Sequence, residues 1–450
     1  MNTKWIIITL CIVALVTAAI SISLNVQADA SAPADQTGPY KVGFVTNTYY
    51  DSTRSDNVEG ARPIMTYIWY PAAPDNNGNP MSPAVYELGL NGVPPFSSTD
   101  FEAYGVDPAY QEAAASEDGP FPLVVLSPGL PAPPLFFVHI GARLASHGFV
   151  VAVPYNYGDG VLGEPTWELN SPAYMIGTYV DRTRDIQYLM TQLVADSNQS
   201  GNLLSGTVRA DQIAVSGQSW GGLAALALAS GDDQACDVPG LDPNLIPPEI
   251  CVPILPDPRI KAIVPLDPTS LFIPHYAEMA RIKIPSMIIG REWNTLESGH
   301  LNEESLLARP HSAIQGHPNY RVDIANYQHM SFTSACSSMN VLRELNGDET
   351  TDAVLKLYCP KEPVPPDEIG NLTTRYMVAF LKTVLVGDTA YKEMLTPGYA
   401  LANEPFIEFF ETEKGSPNPR DEDAYFSYFM HQPGTLQAKA LKDPYPLGIK

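Results

Sequence analysis

Residues Gly217-Gln218-Ser219-Trp220-Gly221-Gly222 set one serine among three glycines. A serine hydroxyl is a poor nucleophile at neutral pH and needs a base to take its proton. G-x-S-x-G alone is a weak signal, because both residue types are common. Its neighbours sharpen it. Gln212 to Val215 reads as a short buried strand, and the Ala/Leu-rich stretch 221–229 reads as a helix. A strand, a sharp turn and a helix would hold Ser219 on a strained backbone, with its hydroxyl exposed at a helix N-terminus. Glycines on both sides let strand and helix approach closely. The competing reading is a plain Gly-Ser turn.

A nucleophile of this kind needs three partners. The oxyanion that forms on attack needs two backbone N–H donors placed beforehand. Trp220, directly after the serine, supplies one. Ser127-Pro128-Gly129-Leu130 follows an apolar strand at 121–126 and offers the N–H of Leu130. The competing reading there is a simple Pro-Gly turn. The base is expected late in the chain, after the acid. Of the eight histidines, six follow Ser219. His329, just past the last expected strand, is preferred; His275, His300, His311, His317 and His431 lie in Pro-rich or tail segments and read as exposed. For the acid, the loop after strand 285–290 holds Glu292, with Asn294 where an Asp is often found. An amide cannot stabilise an imidazolium as well. The preceding strand ends in Leu266-Asp267-Pro268, which places Asp267 at a strand C-terminus, where catalytic groups collect. Asp267 is favoured over Glu292.

The elements that must position these residues have a regular rhythm. Early strands are expected at 40–48 and 63–71, followed by a long loop region over 72–120. Strands at 121–126, 149–153, 212–215, 260–266, 285–290 and 320–325 alternate with helices at 137–147, 174–196, 221–229 and 371–386. Such alternation implies a mostly parallel sheet covered on both faces. Segments 159–173, 231–258 and 296–318 read as insertions, residues 31–39 as a flexible N-terminus of the mature chain, and 387–450 as a C-terminal extension on a core of about 38–386. One domain over 31–450 is expected.

Several segments in this order resemble the plasma-type platelet-activating-factor acetylhydrolases and related dienelactone hydrolases of bacteria. They are Gly38-Pro39-Tyr40-Lys41-Val42-Gly43, the oxyanion segment Phe121 to Leu130, Leu144 to Val151, the elbow Gly217 to Gly222, and Leu266-Asp267. The likeness runs from about residue 38 to 385. It implies an α/β-hydrolase fold and ester hydrolysis by Ser219, His329 and Asp267 without metal or cofactor, on short- to medium-chain acyl esters, an acetyl phospholipid or a polyester. Two positions depart from the family. Pro128 stands where a His is common before the oxyanion glycine, and Trp220 replaces a smaller or different residue. Both reshape the acyl pocket, so acetyl specificity does not carry over.

Composition bounds the rest. Acidic residues number 50 and basic residues 26, a formal net charge of −24, which disfavours nucleic acid and anionic membranes as partners. Lys4 precedes an apolar run from Trp5 to Leu24, and Ala28-Asp29-Ala30 follows it. A signal peptide over 1–30 and a secreted or periplasmic protein are expected, with an uncleaved anchor as the alternative. Cys236, Cys251, Cys336 and Cys359 remain, an even number that implies disulfides in an exported chain, paired here between neighbours. The rival structural zinc site lacks the ligand spacing. Gly158 to Gly163 matches G-x-G-x-x-G, but Glu164-Pro165 follows instead of a helix, against a dinucleotide site. Two other functions stay open: a peptidase or amidase on the same fold, and a binding protein that keeps the scaffold without the chemistry.

Overall fold

The computed structural model describes residues 32–411 except 55–59, 76–77, 79, 89–94, 160–167, 170, 237–242, 269–275, 292–307, 325–328, 347–354, 356–358, 360–365 and 406. The chain divides into Met1–Pro33 and Ala34–Lys450, and the described strands and helices all lie in the second unit. The expected signal peptide, Glu292, Asn294, His275, His300 and His431 lie outside the described residues.

Ten strands form one sheet in the order β12-β11-β10-β9-β8-β6-β7-β2-β1-β5. They are β1 (Lys41–Asp51), β2 (Arg62–Ala72), β5 (Ala109–Gln111), β6 (Phe121–Ser127), β7 (Val150–Pro154), β8 (Val208–Gln218), β9 (Ile260–Leu266), β10 (Ser286–Arg291), β11 (Asn319–Ile324) and β12 (Ile407–Glu411). Two short strands, β3 (Val85–Tyr86) and β4 (Phe96–Ser97), pair apart from it. The block β7-β6-β8-β9-β10-β11 is parallel. The α-helices among the described residues are α1 (Val138–Ser146), α2 (Pro172–Asn198), α3 (Trp220–Ser230), α4 (Tyr276–Met279), α5 (Ala308–Ala313), α6 (Ala335–Asn346), α7 (Pro366–Leu381) and α8 (Pro397–Asn403).

The apolar runs of the sequence are strands buried on both faces. In β6, Leu123 and Val125 join the core that includes Ile186 and Leu189 of α2 and Leu223 and Leu226 of α3. Val124 and Leu126 join the opposite core, with Ile140 and Leu144 of α1 and Met377 and Phe380 of α7. Successive side chains thus serve opposite layers, as the strand period of two requires. Register then aligns the functional end of the sheet. Ser127 lies opposite Gly217, and Gln218 opposite Leu266, so the chain leaves β6, β8 and β9 at one level.

Two expectations need correction. Residues 72–120 are not simply loop: β5 pairs in parallel with β1 as an edge strand, and a turn of 3₁₀ helix, Ser98–Tyr104, is capped by Ser97 and Asp100. These pieces are too short for periodicity to register. Residues 34–39 are docked, with Ala34 in the core, the Thr37 hydroxyl donating to Asp107 and the Gly38 N–H to Ser146. The C-terminal extension adds β12, antiparallel to β11, where only the sheet edge selects it. Cys236 pairs with Cys251 and Cys336 with Cys359. No helix among the described residues is long and apolar enough to cross a membrane.

Candidate active site

Ser219 stands between β8 and α3 with φ 57° and ψ −115°. A side-chain-bearing residue holds such a backbone only where its surroundings force it, at a cost of about 1–3 kcal/mol. The glycines show what forces it. A Cβ on Gly221 would lie 1.8 Å from the Ser127 carbonyl oxygen, and one on Gly217 would lie 2.4 Å from the Gly221 carbonyl carbon. The spacing of the motif is therefore a packing requirement: strand and helix touch at backbone distance. The Ser219 N–H donates to the Leu266 carbonyl at 2.9 Å, which fastens the bend to the end of β9.

Asp267 comes next along β9, with φ 38°. It is fully buried, and its N–H donates to the Ile289 carbonyl at 2.7 Å. Its Oδ2 lies 2.5 Å from Nδ1 of His329. His329 opens a turn of 3₁₀ helix, His329–Phe332, beyond β11, and its side chain is 35% exposed. A buried carboxylate accepting from Nδ1–H leaves Nε2 as the basic nitrogen. That nitrogen is 3.0 Å from Nε2 of Gln218, the residue before the serine, and the same amide donates to the His329 carbonyl at 3.1 Å. Asp267 and His329 are thus brought into contact. Ser219 is placed beside both through Leu266 and Gln218; its hydroxyl has no hydrogen-bond partner among the described residues.

The turn after β6 faces the elbow. A Cβ on Gly129 would lie 2.4 Å from Gln218 Oε1 and 3.2 Å from the Ser219 Cβ. Leu130 is half-buried, and its N–H has no hydrogen-bond partner among the described residues. Trp220 is buried in the core at the first position of α3. Sequence reasoning missed the support below this turn. Arg182 of α2 is fully buried, and its Nη2 donates to the Gly129 carbonyl at 3.2 Å and to Asp159 Oδ2. Burial pushes the Asp159 carboxyl up to about 7 against the pull of Arg182 and Arg62. Asp159 belongs to the G-x-G-x-x-G match, where its observed work is this ion pair.

The remaining histidines sit elsewhere. His311 is buried rather than exposed; Nε2 meets the Asn319 carbonyl at 3.2 Å, and burial lowers its pKa to about 4. His139 is buried under α7 and also lowered to about 4, by burial and then by Arg143. His317 is exposed.

Known proteins resemble this chain in part of its sequence and in its fold. Residues 32–157 match the sequence model of the family described as platelet-activating factor acetylhydrolase, isoform II. That stretch covers β1 to the end of β7 and includes Leu130, but stops short of Ser219. No curated protein matches the sequence. Among solved structures, a ferulic acid esterase from Streptomyces cinnamoneus superposes with a TM-score of 0.56 at 20% identity, covering 84% of this chain and 98% of the other. The fold is that of the α/β hydrolases. In an α/β hydrolase the loops at the C-terminal ends of the parallel strands build the site, and here β6, β8, β9 and the segment after β11 deliver Leu130, Ser219, Asp267 and His329 to that end.

Proposed function

We propose that the protein is an exported serine hydrolase that cleaves carboxylic esters through an acyl-enzyme intermediate. The observation that carries this reading is Ser219 at φ 57°, at the mouth of α3, with an imidazole seated against its neighbour by a buried carboxylate 2.5 Å away. Ser219 Oγ attacks the ester carbonyl as His329 Nε2 takes its proton. Asp267 holds the imidazole orientation and stabilises the imidazolium. The N–H groups of Leu130 and Trp220 stabilise the tetrahedral oxyanion, each contributing about 3 kcal/mol. His329 then returns the proton to the leaving alcohol, and water releases the acyl group by the same route.

The acetylhydrolase match over the first third of the chain and the ferulic acid esterase neighbour both support an ester substrate over an amide. They suggest short acyl, acetyl phospholipid or phenolic esters as the first to try. The apolar leader at Trp5–Leu24 and the two disulfides support export.

Ser219→Ala tests the assignment. Hydrolysis of p-nitrophenyl acetate and butyrate should fall at least about 10⁴-fold while the thermal midpoint stays within a degree or two. Undiminished turnover would refute the role of Ser219. Turnover of peptide anilides above that of esters would favour the amidase reading. A wild-type protein inert to every ester, anilide and fluorophosphonate would leave a binding protein.

A further inference from the structure

We infer that Gln218 is a positioning residue that, together with Asp267, selects the tautomer of His329 able to act as a base. This rests on the serine-hydrolase reading above. Gln218 is the last residue of β8 and is 1% exposed. Its amide nitrogen lies 3.1 Å from the His329 carbonyl oxygen and 3.0 Å from the ring Nε2. A carbonyl oxygen only accepts, so the atom facing it is the NH₂ end of the amide. The ring nitrogen facing that same NH₂ must therefore offer a lone pair. Its proton sits on Nδ1, where Asp267 Oδ2 accepts it at 2.5 Å. Two contacts on opposite sides of the ring demand the same tautomer.

The other end of the amide lies against the oxyanion turn: a Cβ added to Gly129 would come within 2.4 Å of Oε1. The residue beside the nucleophile thus touches the base and lies against the oxyanion segment.

This arrangement has a chemical consequence. The Gln218 N–H stabilises neutral His329. Once Nε2 is protonated, N–H faces N–H and the contact is lost. Gln218 therefore favours the neutral ring whose Nε2 lone pair can take the Ser219 proton. During acylation the amide yields its place to the proton arriving from Ser219. Among charged groups, Asp267 contacts the ring. The two helices packed on the His329 turn, α6 and α7, carry Arg343, Glu344, Asp367, Glu368 and Arg375; Glu344 accepts from Tyr104 and Arg375 pairs with Glu404.

Gln218→Met keeps the length and removes the donor, and Gln218→Glu replaces it by an acceptor of N–H. Each variant, with thermal unfolding recorded, is reacted with a fluorophosphonate over a range of pH. In that reaction the Ser219 Oγ–P bond forms, P–F breaks with loss of fluoride, and the proton passes to His329. The acid limb of the labelling rate should move up by about half a unit to one unit in Gln218→Met, a three- to tenfold slower reaction on the limb, and further in Gln218→Glu. KM for a p-nitrophenyl ester should stay within about twofold. Should Gln218→Met fail to fold, Gln218→Glu carries the test by the same shift. A rate lowered by one factor at every pH, or a limb that does not move, would overturn the tautomer role while leaving Ser219 as nucleophile. A wild-type protein that takes no label would remove both.

Discussion

Gly221→Ala is the sharpest probe of how the elbow is held. The added methyl would stand 1.8 Å from the Ser127 carbonyl oxygen, 2.6 Å from its carbon and 2.9 Å from the Pro128 oxygen. Ordinary contact between such atoms begins near about 3.4 Å, so the two backbones must part by roughly 1.5 Å. All three clashing atoms are backbone, and no rotamer change relieves them. Ser127-Pro128 leads directly into Gly129-Leu130, and Gly221 follows Ser219-Trp220. Separation at this point therefore pulls apart the two N–H groups proposed for the oxyanion. A displacement of about 1 Å costs about 10²-fold in rate, and loss of one donor 10²–10³-fold. We expect kcat/KM on p-nitrophenyl butyrate to fall about 10²–10³-fold, mostly in kcat, with about 1–3 kcal/mol lost from stability by overpacking. Gly222→Ala meets its nearest atoms at 3.0–3.1 Å and should fall between this variant and wild type. Gly398→Ala in α8 meets nothing within 4 Å; it should leave activity unchanged and add about 0.5 kcal/mol through helix propensity. A Gly221→Ala protein that turns over within about fivefold of wild type would refute the account of the elbow.

Three further outcomes follow from the geometry. Asp267→Asn leaves the ring's Nδ1–H without its carboxylate and permits the wrong tautomer, so kcat should fall about 10⁴-fold with KM little changed, as read by steady-state kinetics. His139 and His311 have folded pKa values lowered to about 4 from 6.5. Between those limits the unfolded chain binds protons that the folded chain does not, so stability present above pH 6.5 is lost as pH falls towards 4, by about 3 kcal/mol per histidine; urea midpoints should drop over that window, less steeply in His311→Gln. Cys336 and Cys359 are 23 residues apart, and Cys336 lies in the first turn of α6, the helix after the His329 turn. Replacing both by Ser should lower the free energy of unfolding by about 3 kcal/mol in a denaturant titration, with kcat falling more than KM.

What the sequence alone determined about this protein is what local sterics and short-range periodicity encode. Gly217, Ser219, Gly221 and Gly222 lie within six residues, and their spacing states a strand-to-helix bend because a Cβ on Gly217 or Gly221 would run into backbone there. The buried strands announced themselves as apolar runs, since both faces of the sheet are covered. The nearest-neighbour pairing of the cysteines needed only short loops. Tertiary structure decided the contacts made across long separations. Asp267 and His329 stand 62 residues apart, Gln218 and His329 111, and Arg182 and Gly129 53. Residue types narrowed the first pair but could not choose it over Glu292 by geometry. The other two were invisible, because nothing in the residue type of Gln218 or Arg182 names a partner until the sheet register brings β6, β8 and β9 level. The edge strands β5 and β12 were missed for the same reason: at three and five residues they carry too little pattern of their own, and the open hydrogen bonds of β1 and β11 define them.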